Sequence, residues 1–168
     1  LPISVHCRLE FDGMLRYELD VEPTADRVGA LRLDIPISRR YAQYRGHQLA
    51  GHRDFAIVPA SDAPFTSRTA AYPGVAHRLR RKKQEVPALA DWRDYAFFTQ
   101  IDLTDHERGL YWFADNAAGW GQSREHPAQE VVSTEDARII RCNLVAEGAE
   151  RHQAPIVFGL LPHPARPL

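Results

Sequence analysis

The chain has 168 residues, 44% of them hydrophobic and 26% charged, which suits one ordinary globular domain with a real core. A formal net charge of −1 and a pI near 6.8 exclude the basic excess of a general nucleic-acid or anionic-membrane binder. No apolar run approaches the roughly 20 residues of a membrane helix, so neither nucleic acid nor membrane is an expected partner.

Leu1 opens directly onto a strand-like run, without the basic start and long apolar stretch of a signal peptide. The lack of an initiator Met leads us to expect a fragment of a larger protein.

The first third alternates with period two. Val5, Cys7, Leu9 and Phe11 share one face, Asp12-Gly13 forms a turn dipeptide, and Leu15, Tyr17, Leu19 and Val21 resume inward. Two alternating runs around Asp-Gly predict a β-hairpin. A third strand follows, with Leu31, Leu33, Ile35 and Ile37 on one side and Arg32 and Asp34 on the other. Pro36 marks it as an edge strand, or as ending there, because proline cannot donate to a ladder.

Residues 38–53 have no clean period, and Phe55 to Val58 read as a short strand. From Pro59 to Trp92 the chain is irregular, broken by Pro64, Pro73-Gly74 and Pro87, and carries the basic run at residues 77–83. A loop this long is uncommon in a compact domain, so we expect it to be ordered against its neighbours or mobile. The run is read as a solvated loop, with contact to an acidic polymer or a neighbouring domain as the alternative.

Strand-like runs then return at Phe97 to Leu103, Gly109 to Ala114, Glu130 to Val132, Ala137 to Val145 and Pro155 to Leu161. No amphipathic helix is convincing. The fold class expected is therefore all-β: one antiparallel β-sandwich of about nine strands over residues 1–168, with a long irregular middle loop. Cys7 and Cys142 both fall in alternating strands and are expected to be buried thiols. A disulfide would be possible if their strands were neighbours.

Three segments carry a resemblance. They are Phe11-Asp12-Gly13-Met14-Leu15-Arg16-Tyr17; Glu107-Arg108-Gly109-Leu110-Tyr111-Trp112-Phe113-Ala114-Asp115 with Gly119-Trp120; and Phe158-Gly159-Leu160-Leu161-Pro162-His163-Pro164-Ala165-Arg166-Pro167-Leu168. In this order they resemble the bacterial proteins grouped as glycoside hydrolase family 123-like, once labelled a domain of unknown function. Such proteins carry a strand-rich region that ends in a similar phenylalanine-glycine-leucine and proline-x-arginine-proline passage. A (β/α) barrel holding the acidic catalytic residues then follows. The resemblance implies that this chain is the accessory sandwich, with the catalytic domain of the same polypeptide as its partner. It implies no catalytic residue here.

The candidate carbohydrate-binding set is Arg108, Trp112, Asp115, Asn116 and Trp120. Exposed indoles stack on the C–H faces of sugars while charged and amide groups hold the hydroxyls, and Trp120, beside two glycines, is the Trp expected to be exposed. The alternative is that Trp112 and Phe113 point to opposite faces, one of them in the core, and that residues 115–119 simply turn.

The eight histidines include His47, His52, His77, His106, His126, His152 and His163 without HExxH or HxH spacing, so no metal site and no cofactor are expected. Asp12, Glu18, Asp102 and Asp115 are the carboxylates that glycoside hydrolysis could use, but nothing places two of them in register. The leading expectation is a non-catalytic accessory domain of a glycoside hydrolase that supports or extends a carbohydrate-binding cleft. An independent carbohydrate-binding module and a structural or protein-interaction domain are the alternatives.

Overall fold

The computed structural model describes residues 2–21, 30–49, 56–67, 83, 97–121, 126–145 and 154–164. Among them eleven strands form two sheets. The strands are β1 (Ile3–Leu9), β2 (Leu15–Val21), β3 (Leu31–Ser38), β4 (Tyr44–Leu49), β5 (Ala56–Pro59), β6 (Phe65–Thr66), β7 (Phe98–Thr104), β8 (Gly109–Phe113), β9 (Gln129–Ser133), β10 (Ala137–Val145) and β11 (Ile156–His163). The larger sheet has seven strands in the order β1-β2-β11-β8-β7-β4-β5, and the smaller has four in the order β3-β10-β9-β6. Neighbouring strands pair antiparallel throughout. The expected antiparallel sandwich is the fold.

The β1–β2 hairpin forms where the Asp-Gly dipeptide places it. Gly13 takes φ +89°, the left-handed region where a side chain is strained. The Asp12 carboxylate accepts the Met14 N–H at 3.0 Å, and the Glu10 N–H donates to the Met14 carbonyl at 2.8 Å. β3 is an edge strand, as Pro36 requires: it pairs only with β10, where Pro36 sits opposite Ile139.

The core lies between the sheets. Phe98, Ile101, Leu103, Trp112, Ile156 and Phe158 from the large sheet meet Val131, Ile140, Cys142 and Leu144 from the small one. Arg138, also inward on β10, donates to the Ala42 carbonyl at 2.6 Å and to the Ala60 carbonyl at 2.9 Å. It thereby ties the small sheet to two connections of the large one. The outer face of the small sheet carries a cross-strand ion row, in which Arg141 lies 3.0 Å from Asp34 and 3.8 Å from Glu130.

Two features depart from the expectation. β4 lies where no period is visible, because its inward positions are polar. Arg45 spreads over the Phe65 ring at 3.5 Å, and His47 meets the Phe65 and Phe98 rings edge-on. The cysteines also differ from each other. Cys142 is buried in the core, but Cys7 is exposed, and both thiols are unpaired, on different sheets.

Cys7 is exposed because seven strands overhang four. Cross-strand partners share a face, and β1 pairs Ile3 with Val21, Val5 with Leu19 and Cys7 with Tyr17. Val21 and Leu19 are core residues, so Ile3, Val5, Cys7 and Leu9 continue the same inner face. Yet every residue of β1 is exposed, Val5 at 55% and Leu9 at 69%. The small sheet does not reach them.

Candidate functional site

The five residues of the candidate carbohydrate set are split by the fold. Trp112 is fully buried, at the centre of the large sheet's inner face. The expectation that Trp120 is exposed is overturned, because it is 1% exposed. Its ring packs 5.1 Å from Phe97 and 6.2 Å from Trp112. The cause is local. Gly119 adopts φ +78°, where an added Cβ would run into the carbonyls of Ala154 and Pro155, so the chain folds back and the indole drops into the core. Neither indole offers a face to a sugar.

Asp115 and Asn116 are exposed in the turn after β8. There the Asn116 side chain accepts the Ala118 N–H at 2.8 Å, the short-range turn chemistry of an Asx residue. Arg108 lies at the opposite end of β8, in the β7–β8 turn. Its guanidinium covers the Tyr41 ring at 4.6 Å and approaches Asp105 at 3.9 Å. Asp105 itself accepts the N–H groups of Glu107 and Arg108, which holds its carboxyl below the usual range. The length of a strand separates Arg108 from Asp115 and Asn116.

Of the four carboxylates weighed for catalysis, Asp12 caps a hairpin turn and Glu18 pairs with Arg16 at 3.0 Å on the sheet surface. Asp102 is different. It lies on the outer face of β7, opposite Tyr111 on β8 and Gly46 on β4, yet it is only 7% exposed.

The cover comes from His163 at the end of β11. His163 registers with Gly109, and Gly109 with Thr104, so no side chain on the intervening strand blocks the imidazole from leaning toward Asp102. His163 Nε2 stands 3.6 Å from Asp102 Oδ1, too far for a good hydrogen bond, and both atoms are buried without a partner. The His163 ring meets Tyr111 edge-on at 6.0 Å. Burial pushes the Asp102 carboxyl above its ordinary range, and His163 beside it opposes that shift. Burial and the nearby Asp102 charge likewise raise the Tyr111 phenol.

Asp102 and His163 floor a pocket of about 520 Å³ lined by Tyr44, Ile57, Pro59, Thr104, His106, Glu107 and Pro164. The Tyr44 and His106 rings stand 4.2 Å apart at 54°. A concave, partly apolar site with a perturbed acid is the physical signature of a binding pocket. Among the described residues no group of three or more His, Cys, Asp or Glu is arranged to hold a metal ion.

Asp102, His106 and His163 were each legible as residue types, but not as neighbours. The signal that joins them is the β7–β8–β11 register, which no local pattern contains. His52, His77, His152 and the basic run, apart from Lys83, lie outside the described residues.

No family model, no curated protein and no solved structure matches this chain.

Proposed function

We propose that this sandwich is a non-catalytic accessory domain of a glycoside hydrolase, which docks through β1 onto the catalytic domain of the same polypeptide and supports or extends its carbohydrate-binding cleft. The observation that carries the reading is the uncovered inner face of β1. Ile3, Val5 and Leu9 are large exposed hydrophobic residues in a row, and Phe11, in the hairpin turn beyond them, is 81% exposed. Contiguous exposed apolar surface of this kind marks an interaction site.

Among the described residues no strand pairs with the outer edge of β1. Sheets normally blunt a free edge with a proline, a bulge or an inward charge. β1 runs in unbroken register from Ile3 to Leu9 and places no charge on its inner face. The nature of the partner follows from the three-segment resemblance, in which a catalytic barrel succeeds the strand-rich region.

Cys7 supplies the test, since it stands in the middle of the strip. Cys142 is fully buried, and burial pushes its thiol far above the ordinary value, so a maleimide reports on Cys7 alone. The 168-residue chain should label rapidly, and the polypeptide extended by its following domain should label at least about tenfold more slowly, as expected for a thiol taken out of solvent. Equal rates in the two would rule the reading out.

A further inference from the structure

We infer that the outer-face pocket floored by Asp102 is a binding site for an organic cation, an alkylammonium or guanidinium group carried on a short apolar body. The inference goes beyond the docking role of β1 and does not depend on it. The sheet order sets β1 at one edge, and the pocket spans β11, β8, β7, β4 and β5 toward the other.

Three observations converge. The first is charge. Two carboxylates, Asp102 at the floor and Glu107 at the rim, line the pocket, and among the described residues no Lys or Arg does. Against these two carboxylates the described lining offers the His106 and His163 imidazoles and no permanent cation. A carboxylate removed from water without a cationic partner is costly, and a bound cation would supply what the protein does not.

The second is hydrogen bonding. Asp102 is more than nine-tenths buried, and its Oδ1 has no donor. Among the described residues His163 Nε2 faces that atom at 3.6 Å and is itself without a partner. Ammonium and guanidinium groups carry donors and no acceptors, which complements a carboxylate oxygen that has no hydrogen-bond partner.

The third is the shape of the wall. Tyr44, Ile57, Pro59 and Pro164 give an apolar side for a short methylene chain. The Tyr44 and His106 rings, tilted against each other at 4.2 Å, add aromatic wall of the kind that attracts a cation. Arg108, the nearest arginine in the β7–β8 turn, is already engaged by Asp105 and Tyr41.

The test is a titration of the full 168-residue chain with agmatine and with n-butylammonium, followed by amide chemical shifts and calorimetry. The neutral controls are n-butanol and methyl β-glucoside. Both cations should bind saturably and shift the amides of Gly46, Asp102, Tyr111 and His163. The neutral controls should bind at least about tenfold more weakly, the factor that 1.4 kcal/mol of charge recognition gives.

A blocked arginine tripeptide in the same series tells a free small molecule from an arginine side chain as the source of the group. Asp102→Asn should weaken agmatine binding by about tenfold or more, and Glu107→Gln by roughly threefold, as expected for a buried and a rim carboxylate. Glu107 is exposed, so its variant leaves the fold intact and decides the matter even if Asp102→Asn does not fold. Absent saturation, shifts confined to another surface, a glucoside that binds as well as agmatine, or Glu107→Gln with unchanged affinity would each overturn the inference.

Discussion

Asp102 holds a carboxylate at a place where the charged form is penalised, and this has a consequence for stability that depends on pH. Burial raises its pKa above the ordinary 3.8, against the opposing influence of His163. The folded chain therefore keeps this proton to higher pH than the unfolded chain does. The group's favourable contribution is complete below 3.8 and is lost as pH rises through the folded value.

Asp102→Asn cannot ionise, so it should melt higher than the parent at pH 7. The advantage should vanish below about pH 3.8, where both states of the parent are protonated. Melting curves from pH 3 to 8 check this, and a difference that does not change with pH would refute it.

At the same scale the sequence is least informative. Asp102 stood among the candidate carboxylates and His163 among the scattered histidines, but which strand registers against which is decided by tertiary pairing. The burial of Trp120 is illegible for a related reason. Its neighbouring glycines suggested exposure, whereas the positive φ of Gly119 turns the indole inward.

The elements were far more legible, because alternation is a local property. β1, β2, β3 and β10 carry clean period-two patterns, and β10 matches the expected run from Ala137 to Val145. β4 is not legible because Arg45 and His47 face inward and invert the apolar pattern. β6, with two residues, is too short to show a period. What alternation cannot reveal is whether a face is covered. β1 and β2 read alike in the sequence, yet Leu19 is core and Val5, its partner across the hairpin, is more than half exposed.

The two positions should therefore respond differently to substitution. In the 168-residue chain, Val5→Thr should cost less than about 0.5 kcal/mol, the range of surface changes. Leu19→Ala should cost roughly 2–5 kcal/mol, the range for emptying a packed site. Urea unfolding of the two variants measures this directly. A Val5→Thr loss as large as that of Leu19→Ala would mean that β1 is already covered in the chain alone.

At the level of the whole molecule, two sheets of unequal width must be held at a fixed spacing, and apolar packing alone does not fix how their connections close over the end. Arg138 does so. It is nearly buried on the inner face of β10 and reaches the carbonyls of Ala42, just before β4, and Ala60, just after β5. It also approaches Asp62 at 3.3 Å. Arg39 contacts the same Asp62 and donates to the Thr134 carbonyl at 2.8 Å, but from a more exposed position.

Removing Arg138 leaves the buried Ala42 carbonyl and the part-buried Ala60 carbonyl without their donor, and a carbonyl left unpaired away from water costs about 1–3 kcal/mol. Arg138→Ala should therefore lose roughly 2–5 kcal/mol, since a relaxed end can readmit water to one of the carbonyls. Arg39→Ala, which gives up a surface ion pair, should lose no more than about 1 kcal/mol. The clamp also predicts where the loss is felt. Amide exchange should accelerate first around Ala42 and Ala60 in Arg138→Ala, while β2 and β11 at the other side keep their protection until global unfolding. Uniform acceleration across both sheets would mean that Arg138 stabilises the sandwich only through general packing and does not lock its end.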